Sequence, residues 1–456
     1  ADNVFFDANS NVGTGTFTVT MANSPRVCND FTASGLDGTM TLAGSAIGLT
    51  VSGSLTFQAT NFTRTYTGTT TFNATTTGKT VTANGISFAQ LTFDGVGGEW
   101  TLGSALAVSG TLTVTRGTFD TSSSGNYAVT CGIFSSNLSN TRTINLNAST
   151  VTISSSTAWN MSTSTNATVN AGTSTINCSS TAPTFAGGGL TYYNVAFTPT
   201  NLFSASISGA NTFNNLSITG RTTIGIGVLN LNANQTINGT FTVSAGIASA
   251  YRIQISSNTL GTTRTLTCAA VSLTDTDFRD ITIAGAASPA SGTRLGDCKG
   301  NSGITFDAAK TVFYGQTGSA NWGTSGSGSW SATSGGALDA TQFPLAQDTA
   351  VFPAATYPAS GSTTTINASY NIDTIDMSLR TSNTMTLETG STTPFIYGNW
   401  INGTGITLSG TSTLTFAGRT TQTITSSAIA FTQPITINSI SGTVQLQDAL
   451  TMDSTR

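Results

Sequence analysis

Apolar and polar residues follow a recurring spacing along the chain. In NTFNNLSITG, residues 211 to 220, the large apolar residue Phe213 is followed three positions later by Leu216, and Ile218 comes two positions after that. Strand side chains alternate between two faces, so Leu216 and Ile218 share a face, whereas Phe213 reaches that face only across a bend. The spacing predicts a strand, a bend and a second strand, with Leu216 and Ile218 facing a core.

The same spacing returns in GISFAQLTFDG, LTYYNVAFTP, DTDFRDITIAG and NIDTIDMS. From Tyr192 to Phe213 is 21 residues, and from Phe213 to Phe278 is 65, about three times as many. A coil of about 20 residues suits a solenoid whose turns stack at the spacing of paired strands. We therefore predict an all-β chain of parallel β-helix modules in tandem. An array of β-sandwich domains is the alternative, because dense Gly and Asn are also typical of sandwich turns.

Composition agrees with strands and excludes several partners. Charged residues make up only 7% of the chain, His is absent, and Lys occurs only as Lys79, Lys299 and Lys310. Nucleic-acid binding needs concentrated cations, which this chain lacks. No apolar run approaches the roughly 18 residues of a membrane helix. We expect no nucleic-acid partner and no membrane span.

The sequence offers little for catalysis. General acid and base chemistry needs paired carboxylates or His, yet Glu occurs only as Glu99 and Glu388, and no acid lies between Asp120 and Asp275. The many serines lack a base to activate them. We predict a protein that is not an enzyme, with no catalytic residue, no metal site and no cofactor.

The cysteines are five in number and widely spaced: Cys28, Cys131, Cys178, Cys268 and Cys298. They form no CxxC pair, and a metal knuckle is excluded by their spacing and by the lack of His. Three of them, Cys131, Cys178 and Cys268, lie in strand-like alternation, which favours small buried side chains. The fold is not expected to depend on disulfides.

One acidic cluster stands out, in LTDTDFRDITI. Asp275 and Asp277 are predicted to project from one strand face, where two carboxylates suit Ca²⁺, and Asp280 follows closely. The alternative is an exposed loop edge on which Arg279 is the local counter-ion. The second interpretation is preferred, and no metal is predicted.

Thr-x-Thr strings raise a further possibility, ice binding, since stacked Thr rows on a flat face can order water. The strings lie at 16 to 20, 111 to 115 and 413 to 416. Because their intervals are uneven, ordinary solvated Thr ladders are the preferred interpretation.

A longer repeat has an offset of about 345 residues. Its ordered matches are Asp2 with Asp348, Phe6 with Phe352, Asp30 with Asp376, Gly38 with Asn383, Ser54 with Thr413, Lys79 with Gln422 and Ser104 with Asp448. The fifth match requires an insertion that contains PFIYGNW. We predict a solenoid module over 1–305, a junction over 306–346 and the start of a second copy over 347–456. Arg456 falls within the pattern, so the natural polypeptide is expected to continue.

The junction is rich in Gly and Ser and carries Trp322 and Trp330 eight residues apart. A flexible linker has no need of two Trp residues, so we expect a compact cap that covers the end of a core. Binding of a sugar by the aromatic pair is the alternative.

FNNLSI and SGTLTVTRGTFD resemble the coils of repetitive β-helical adhesins and phage fibre proteins. NWGTSGSGSWSATSGG with the following QDTAVF is similar to boundary motifs in long repetitive proteins of tailed phages and uncultured bacteria. The resemblance implies a structural and adhesive fibre, such as a phage tail fibre or a tail-associated filament, located in a virion or outside the cell. Its expected partners are copies of itself, other virion or fibre proteins and a host glycan. A secreted bacterial adhesin or surface filament is the alternative, and glycan-binding or ice-binding modules rank lower.

Overall fold

The computed structural model describes residues 1–10, 15–23, 26–199, 201, 203–354 and 356–453. These residues form an all-β protein with a parallel β-solenoid of about 19 turns. The only helices among them are two short 3-10 turns, Ala8–Ser10 and Ala340–Gln342. The parallel β-helix predicted from the sequence is confirmed. The sandwich alternative is wrong, because sandwich sheets are antiparallel.

The chain divides into two compact units. Unit 1 comprises Ala1–Pro199, Ala205–Ser217 and Ala233–Gly239. Unit 2 comprises Thr200–Ser204, Ile218–Asn232 and Thr240–Arg456.

Twenty strands precede the first boundary, and all of them belong to unit 1. They are β1 (Val4–Phe6), β2 (Thr16–Thr20), β3 (Arg26–Cys28), β4 (Phe31–Ala33), β5 (Thr39–Ala43), β6 (Leu49–Val51), β7 (Leu55–Thr56), β8 (Phe62–Arg64), β9 (Thr69–Phe72), β10 (Lys79–Thr82), β11 (Gln90–Leu102), β12 (Leu106–Asp120), β13 (Val129–Ser135), β14 (Arg142–Asn145), β15 (Thr150–Ile153), β16 (Trp159–Asn160), β17 (Ala167–Asn170), β18 (Thr175–Cys178), β19 (Thr184–Ala186) and β20 (Thr191–Phe197).

Unit 1 winds through three columns of parallel strands. The first column begins with β1, β4, β7 and β10, the second with β3, β6 and β9, and the third with β2, β5 and β8. The long strands β11 and β12 turn a corner and pair in more than one column. Register partners lie 27 residues apart at Val4 and Phe31 and 19 apart at Glu99 and Thr118. These coil lengths agree with the spacing of about 20 residues expected from the sequence.

Four strands lie where the chain alternates between the units. They are β21 (Ser204–Ser208), β22 (Thr212–Ile218), β23 (Gly225–Leu231) and β24 (Gln235–Val243).

The remaining strands belong to unit 2. They are β25 (Tyr251–Ser257), β26 (Arg264–Leu273), β27 (Thr276–Arg279), β28 (Ile281–Ala284), β29 (Gly296–Asp297), β30 (Thr311–Tyr314), β31 (Ala320–Asn321), β32 (Trp330–Ser331), β33 (Thr349–Val351), β34 (Ser362–Thr365), β35 (Asn371–Ile372), β36 (Thr374–Asp376), β37 (Met385–Glu388), β38 (Phe395–Ile396), β39 (Trp400–Ile401), β40 (Ile406–Ser409), β41 (Leu414–Phe416), β42 (Thr421–Thr425), β43 (Ile435–Ile437) and β44 (Thr443–Leu446).

The recurring spacing marks buried apolar positions, and in two of its copies it also marks a bend between strands. All fifteen of its apolar side chains are buried: Phe88, Leu91, Phe93, Tyr192, Val195, Phe197, Phe213, Leu216, Ile218, Phe278, Ile281, Ile283, Ile372, Ile375 and Met377. Asp280 separates β27 from β28 with a φ of 58°, a left-handed conformation that Asp tolerates better than most residues. In NIDTIDMS, Asp373 separates β35 from β36. The predicted strand, bend and strand is confirmed at both places. It is wrong for NTFNNLSITG and LTYYNVAFTP, where the spacing lies within the single strands β22 and β20.

Within unit 2, the coils of β25 to β29 pack sideways against those of β35 to β42. Asn371 donates from Nδ2 to Gln254 Oε1 at 2.9 Å and to Asp277 Oδ2 at 2.8 Å. Cys298 packs with Ala346 and Tyr397 in a small apolar cluster. We call this buried contact the seam.

The strand registers near the start of the chain recur in unit 2. One ladder of register partners joins Val4, Phe31, Leu55 and Val81, and the other joins Ala350, Ile375, Trp400 and Ile424. Each residue of the second ladder lies 343 to 346 positions after its counterpart in the first. The predicted domain boundaries at 305 and 346 stay a prediction.

Two matches of the repeat are wrong. Phe31 is the counterpart of Ile375, so Asp30 corresponds to Thr374, and its predicted match with Asp376 is displaced by two residues. Phe416 pairs with Ile396, as Phe72 pairs with Val51, so TLTF at Thr413 corresponds to TTTF at Thr69 and not to SLTF at Ser54. Trp400 occupies the ladder position of Leu55, so PFIYGNW is part of a regular coil and no insertion is needed. Thr-rich strands resemble one another closely, and hydrogen-bond register is what distinguishes them.

The junction adds a coil on top of β33 and β34. Strand β30 pairs with β33 and β31 pairs with β34, both in parallel, whereas β32 runs antiparallel to β30. Trp322 and Trp330 are buried, and their ring centroids lie 6.0 and 5.9 Å from that of Phe352. We call residues 310–331 the capping coil. The expectation that the Trp pair packs on a core is confirmed, and sugar binding by this pair is wrong because neither indole face is exposed.

Candidate functional site

The acidic cluster predicted from LTDTDFRDITI lies at the seam. Asp275 and Asp277 belong to one turn of the solenoid around β27, and Asp280 lies at the next corner. All three side chains are buried. The preferred interpretation, an exposed loop edge, is therefore wrong.

Each of the three carboxylates is paired with an Arg other than the predicted Arg279. Asp277 Oδ1 accepts from Arg252 Nε at 2.8 Å, and Asp275 accepts from Arg294 Nε at 2.6 Å. Asp280 accepts from Arg419, which lies 139 residues later in the chain. Burial of an ion pair is tolerated when good geometry and further hydrogen bonds compensate for the lost hydration.

All six carboxylate oxygens of this cluster already accept hydrogen bonds. The second oxygens of Asp275, Asp277 and Asp280 accept from Arg294 Nη2, Asn371 Nδ2 and the Gly261 backbone N–H. These oxygens are therefore not free to act as ligands of Ca²⁺. Among the residues that the structure describes, no group of three or more His, Cys, Asp or Glu is placed to hold a metal ion.

Burial raises the pKa values of the other seam groups. It raises the pKa of the Cys298 thiol and that of the Tyr397 phenol well above their ordinary values. It also raises the pKa of the Asp373 carboxyl, and Lys299 opposes that shift. These groups contribute packing and hydrogen bonds, and none of them offers an accessible nucleophile.

The outer faces of unit 1 carry ladders of hydroxyl and amide side chains. Thr50, Thr71, Thr92 and Thr113 are register partners on successive coils. A second ladder is hydrogen bonded along its length, because Asn145 Nδ2 donates to Asp120 Oδ2 and Asn170 Nδ2 donates to Asn145 Oδ1, both at 2.8 Å. The predicted Thr ladders are thus present, and side-chain hydrogen bonds join neighbouring coils along the outer surface.

An open groove on unit 1 is the best candidate for ligand binding. Its volume is about 520 Å³. Its lining residues are Val169, Asn170, Ala171, Gly172, Thr191, Tyr192, Tyr193, Asn214 and Asn238. Strand alternation buries Tyr192, which donates to Gly187 O at 2.8 Å, and leaves Tyr193 partly exposed on the outer face. We call this site the Tyr193 groove.

The Tyr193 groove combines an aromatic ring with amides that donate and accept hydrogen bonds. Asn170 and Asn238 are exposed, and Asn214 is half-buried. Such a set suits a polyol, which offers C–H faces to an aromatic ring and hydroxyl groups to amides. Sequence reasoning missed this groove. Its only local signals are the Tyr doublet in LTYYNVAF and the Asn residues of FNNL and INGT, which coil stacking brings together.

The fold and this surface define a parallel β-solenoid with a polar, weakly charged exterior. Comparison with protein-family models, curated proteins and solved structures gave no match. Within the described ranges, no helix is long and apolar enough to cross a membrane.

Proposed function

We propose that this chain is a structural and adhesive fibre protein that is not an enzyme and that forms part of a virion appendage, such as a phage tail fibre or a tail-associated filament. The observation that carries the proposal is the stacking of about 19 solenoid turns, whose strand ladders run from β1 to β29 and again from β30 to β44. Each coil is stabilised by its neighbours, and the repeat gives a stiff element without large loops. Copies of the same chain or other fibre proteins are its proposed partners.

The surface supports the same function. With charged residues at 7% of the chain, hydroxyl and amide groups provide most of its polarity. The best-developed charge cluster, in which Arg252 and Arg294 pair with Asp275 and Asp277, is neutralised inside the seam. A bacterial adhesin or surface filament of the same fold is the second candidate, because the same exterior serves both.

Immunogold electron microscopy tests the location. Antibody against the purified chain should label the appendages of phage particles from the source sample. If bacterial surfaces are labelled and phage particles are not, the protein is a bacterial adhesin or surface filament and not part of a phage. Label on neither would refute the fibre function.

Attachment to a host glycan is proposed to use the Tyr193 groove. Tyr193→Ala removes the partly exposed ring and should weaken binding to a host surface polysaccharide about five- to thirtyfold, since stacking and desolvation of one aromatic residue contribute about 1–2 kcal/mol. Glycan-array binding followed by titration calorimetry measures the change.

Tyr127→Ala is the matched control, because Tyr127 is also partly exposed and lies outside the groove. It should bind as the unmodified chain does. Equal binding by all three proteins would remove the Tyr193 groove from the adhesive function.

The chain should hydrolyse no host polysaccharide. His is absent, and the clustered carboxylates of Asp275, Asp277 and Asp280 are engaged by Arg side chains. Incubation with a polysaccharide panel and a reducing-end assay checks this expectation. Turnover that survives purification to homogeneity would contradict it.

A further inference from the structure

The first coil of unit 1 leaves an apolar pocket open at the end of its core. The pocket has a volume of about 240 Å³. Its lining residues are Val4, Phe6, Val19, Thr20, Met21, Arg26, Val27, Cys28, Phe31, Leu42 and Leu49. Beside it, Phe5 and Val27 are 60% and 57% exposed. We call this site the end pocket.

The strands of this coil also have a free edge. In the described part of the chain, β1 pairs with β4, β2 with β5 and β3 with β6, each on one side only. The opposite edges present backbone N–H and C=O groups that another strand can pair with. Open hydrogen-bonding edges and an open apolar core end therefore coincide.

The repeated registers show how unit 2 closes the corresponding place. Ala350 and Phe352 lie 346 positions after the core-facing Val4 and Phe6 and are fully buried, whereas Val4 and Phe6 are only half-buried. Strand β33 has a partner on each side, β36 and β30, whereas its counterpart β1 pairs only with β4 among the described residues. The added partner is the first strand of the capping coil.

Three kinds of contact hold the capping coil in place. Its strands extend the ladders, and the backbone N–H of Trp322 donates to Thr365 O at 2.7 Å. The rings of Tyr314, Trp322 and Trp330 cover Phe352, the counterpart of Phe6. The buried Asp348 accepts from the Lys310 backbone N–H at 3.0 Å, whereas its match Asp2 is exposed.

We propose that the end pocket is a docking site for a second capping coil, a β-segment of the 310–331 type whose two indoles cover Phe6 and whose first strand pairs with β1. The site continues an interface that the chain already forms between β30 and β33. Recognition depends on indole burial, on parallel backbone pairing at β1 and on a backbone N–H for Asp2. This docking site does not depend on the proposed fibre function, because it is inferred from the repeated registers alone.

The test fuses a second copy of residues 306–346 ahead of Ala1 in the full chain. Hydrogen exchange at residues 3–6 and 17–21 should slow by at least about tenfold relative to the unfused chain, because these strand edges gain partners. The matched control carries Trp322→Ser and Trp330→Ser in the fused copy alone and should give no such protection. Exchange in β25 to β28, which the fused segment does not touch, confirms that both fusions are folded.

A synthetic peptide of residues 306–346, added to the unfused chain, gives an independent measurement. It should protect the same residues in a saturable manner, and the double Ser peptide should not. The docking site is supported if the Trp-bearing segment protects these residues, as a fusion or as a peptide, and the matching Ser segment does not. Absence of protection in both forms, or equal protection by Trp and Ser segments, overturns it.

Discussion

Replacing Leu216 and Ile218 together by Asp is expected to unfold the coil that contains them. Both side chains are fully buried. Each substitution places a carboxylate in the core without a partner, and together they should lower the free energy of unfolding by more than about 4 kcal/mol. Thermal unfolding followed by circular dichroism, with hydrogen exchange to locate the loss, measures the effect.

Ser217→Asp is the matched control for this variant. Ser217 lies between the two core residues on β22 and is half-buried on the outer side. Its substitution adds the same charge in the same strand and should change stability by no more than about 0.5 kcal/mol. If the double variant and the Ser217→Asp control unfold at the same temperature, Leu216 and Ile218 do not face the core.

Arg252→Met should be the most damaging single substitution at the seam. Arg252 lies 2.5 Å from Asp277 Oδ1 and 3.8 Å from Asp275 Oδ1, and all three side chains are buried. Removing the guanidinium leaves the Asp277 carboxylate buried with only the hydrogen bond from the Asn371 amide. The free energy of unfolding should fall by about 3–5 kcal/mol. Denaturant unfolding of the variant checks the magnitude.

Two further variants isolate the cause. Arg116→Met breaks the surface pair with Asp94, whose side chains are 42% and 35% exposed, and should cost no more than about 1 kcal/mol. Adding Asp277→Asn to Arg252→Met removes the stranded charge and should recover part of the loss. Equal destabilisation by Arg252→Met and Arg116→Met would contradict the buried ion pair.

The sequence predicted the solenoid because its signal is local. Phe213, Leu216 and Ile218 are the buried positions of one strand, and copies of that spacing repeat at nearly one or several coil lengths. Burial of Cys131, Cys178 and Cys268 followed from strand alternation for the same reason, and all five cysteines are buried and unpaired. Local periodicity is what a single sequence reports best.

The misses share a different cause, which is contact between distant segments. Asp280 was expected at an exposed edge because Arg419, its partner, is 139 residues away and reaches it only through sideways packing of coils. The Tyr193 groove likewise requires Asn170, Asn214 and Asn238 to stack, and their separation varies with coil length. Spacing along the chain does not specify which coils lie side by side.

The unpaired cysteines determine how the molecule responds to its chemical surroundings. Burial raises the pKa of Cys131 and of Cys178 to about 12, so almost no thiolate forms at neutral pH to be oxidised or exchanged. No disulfide among the described residues has to form during folding or resist reduction afterwards. The same covalent structure therefore persists under reducing and under oxidising conditions, and the solenoid needs no oxidative maturation step.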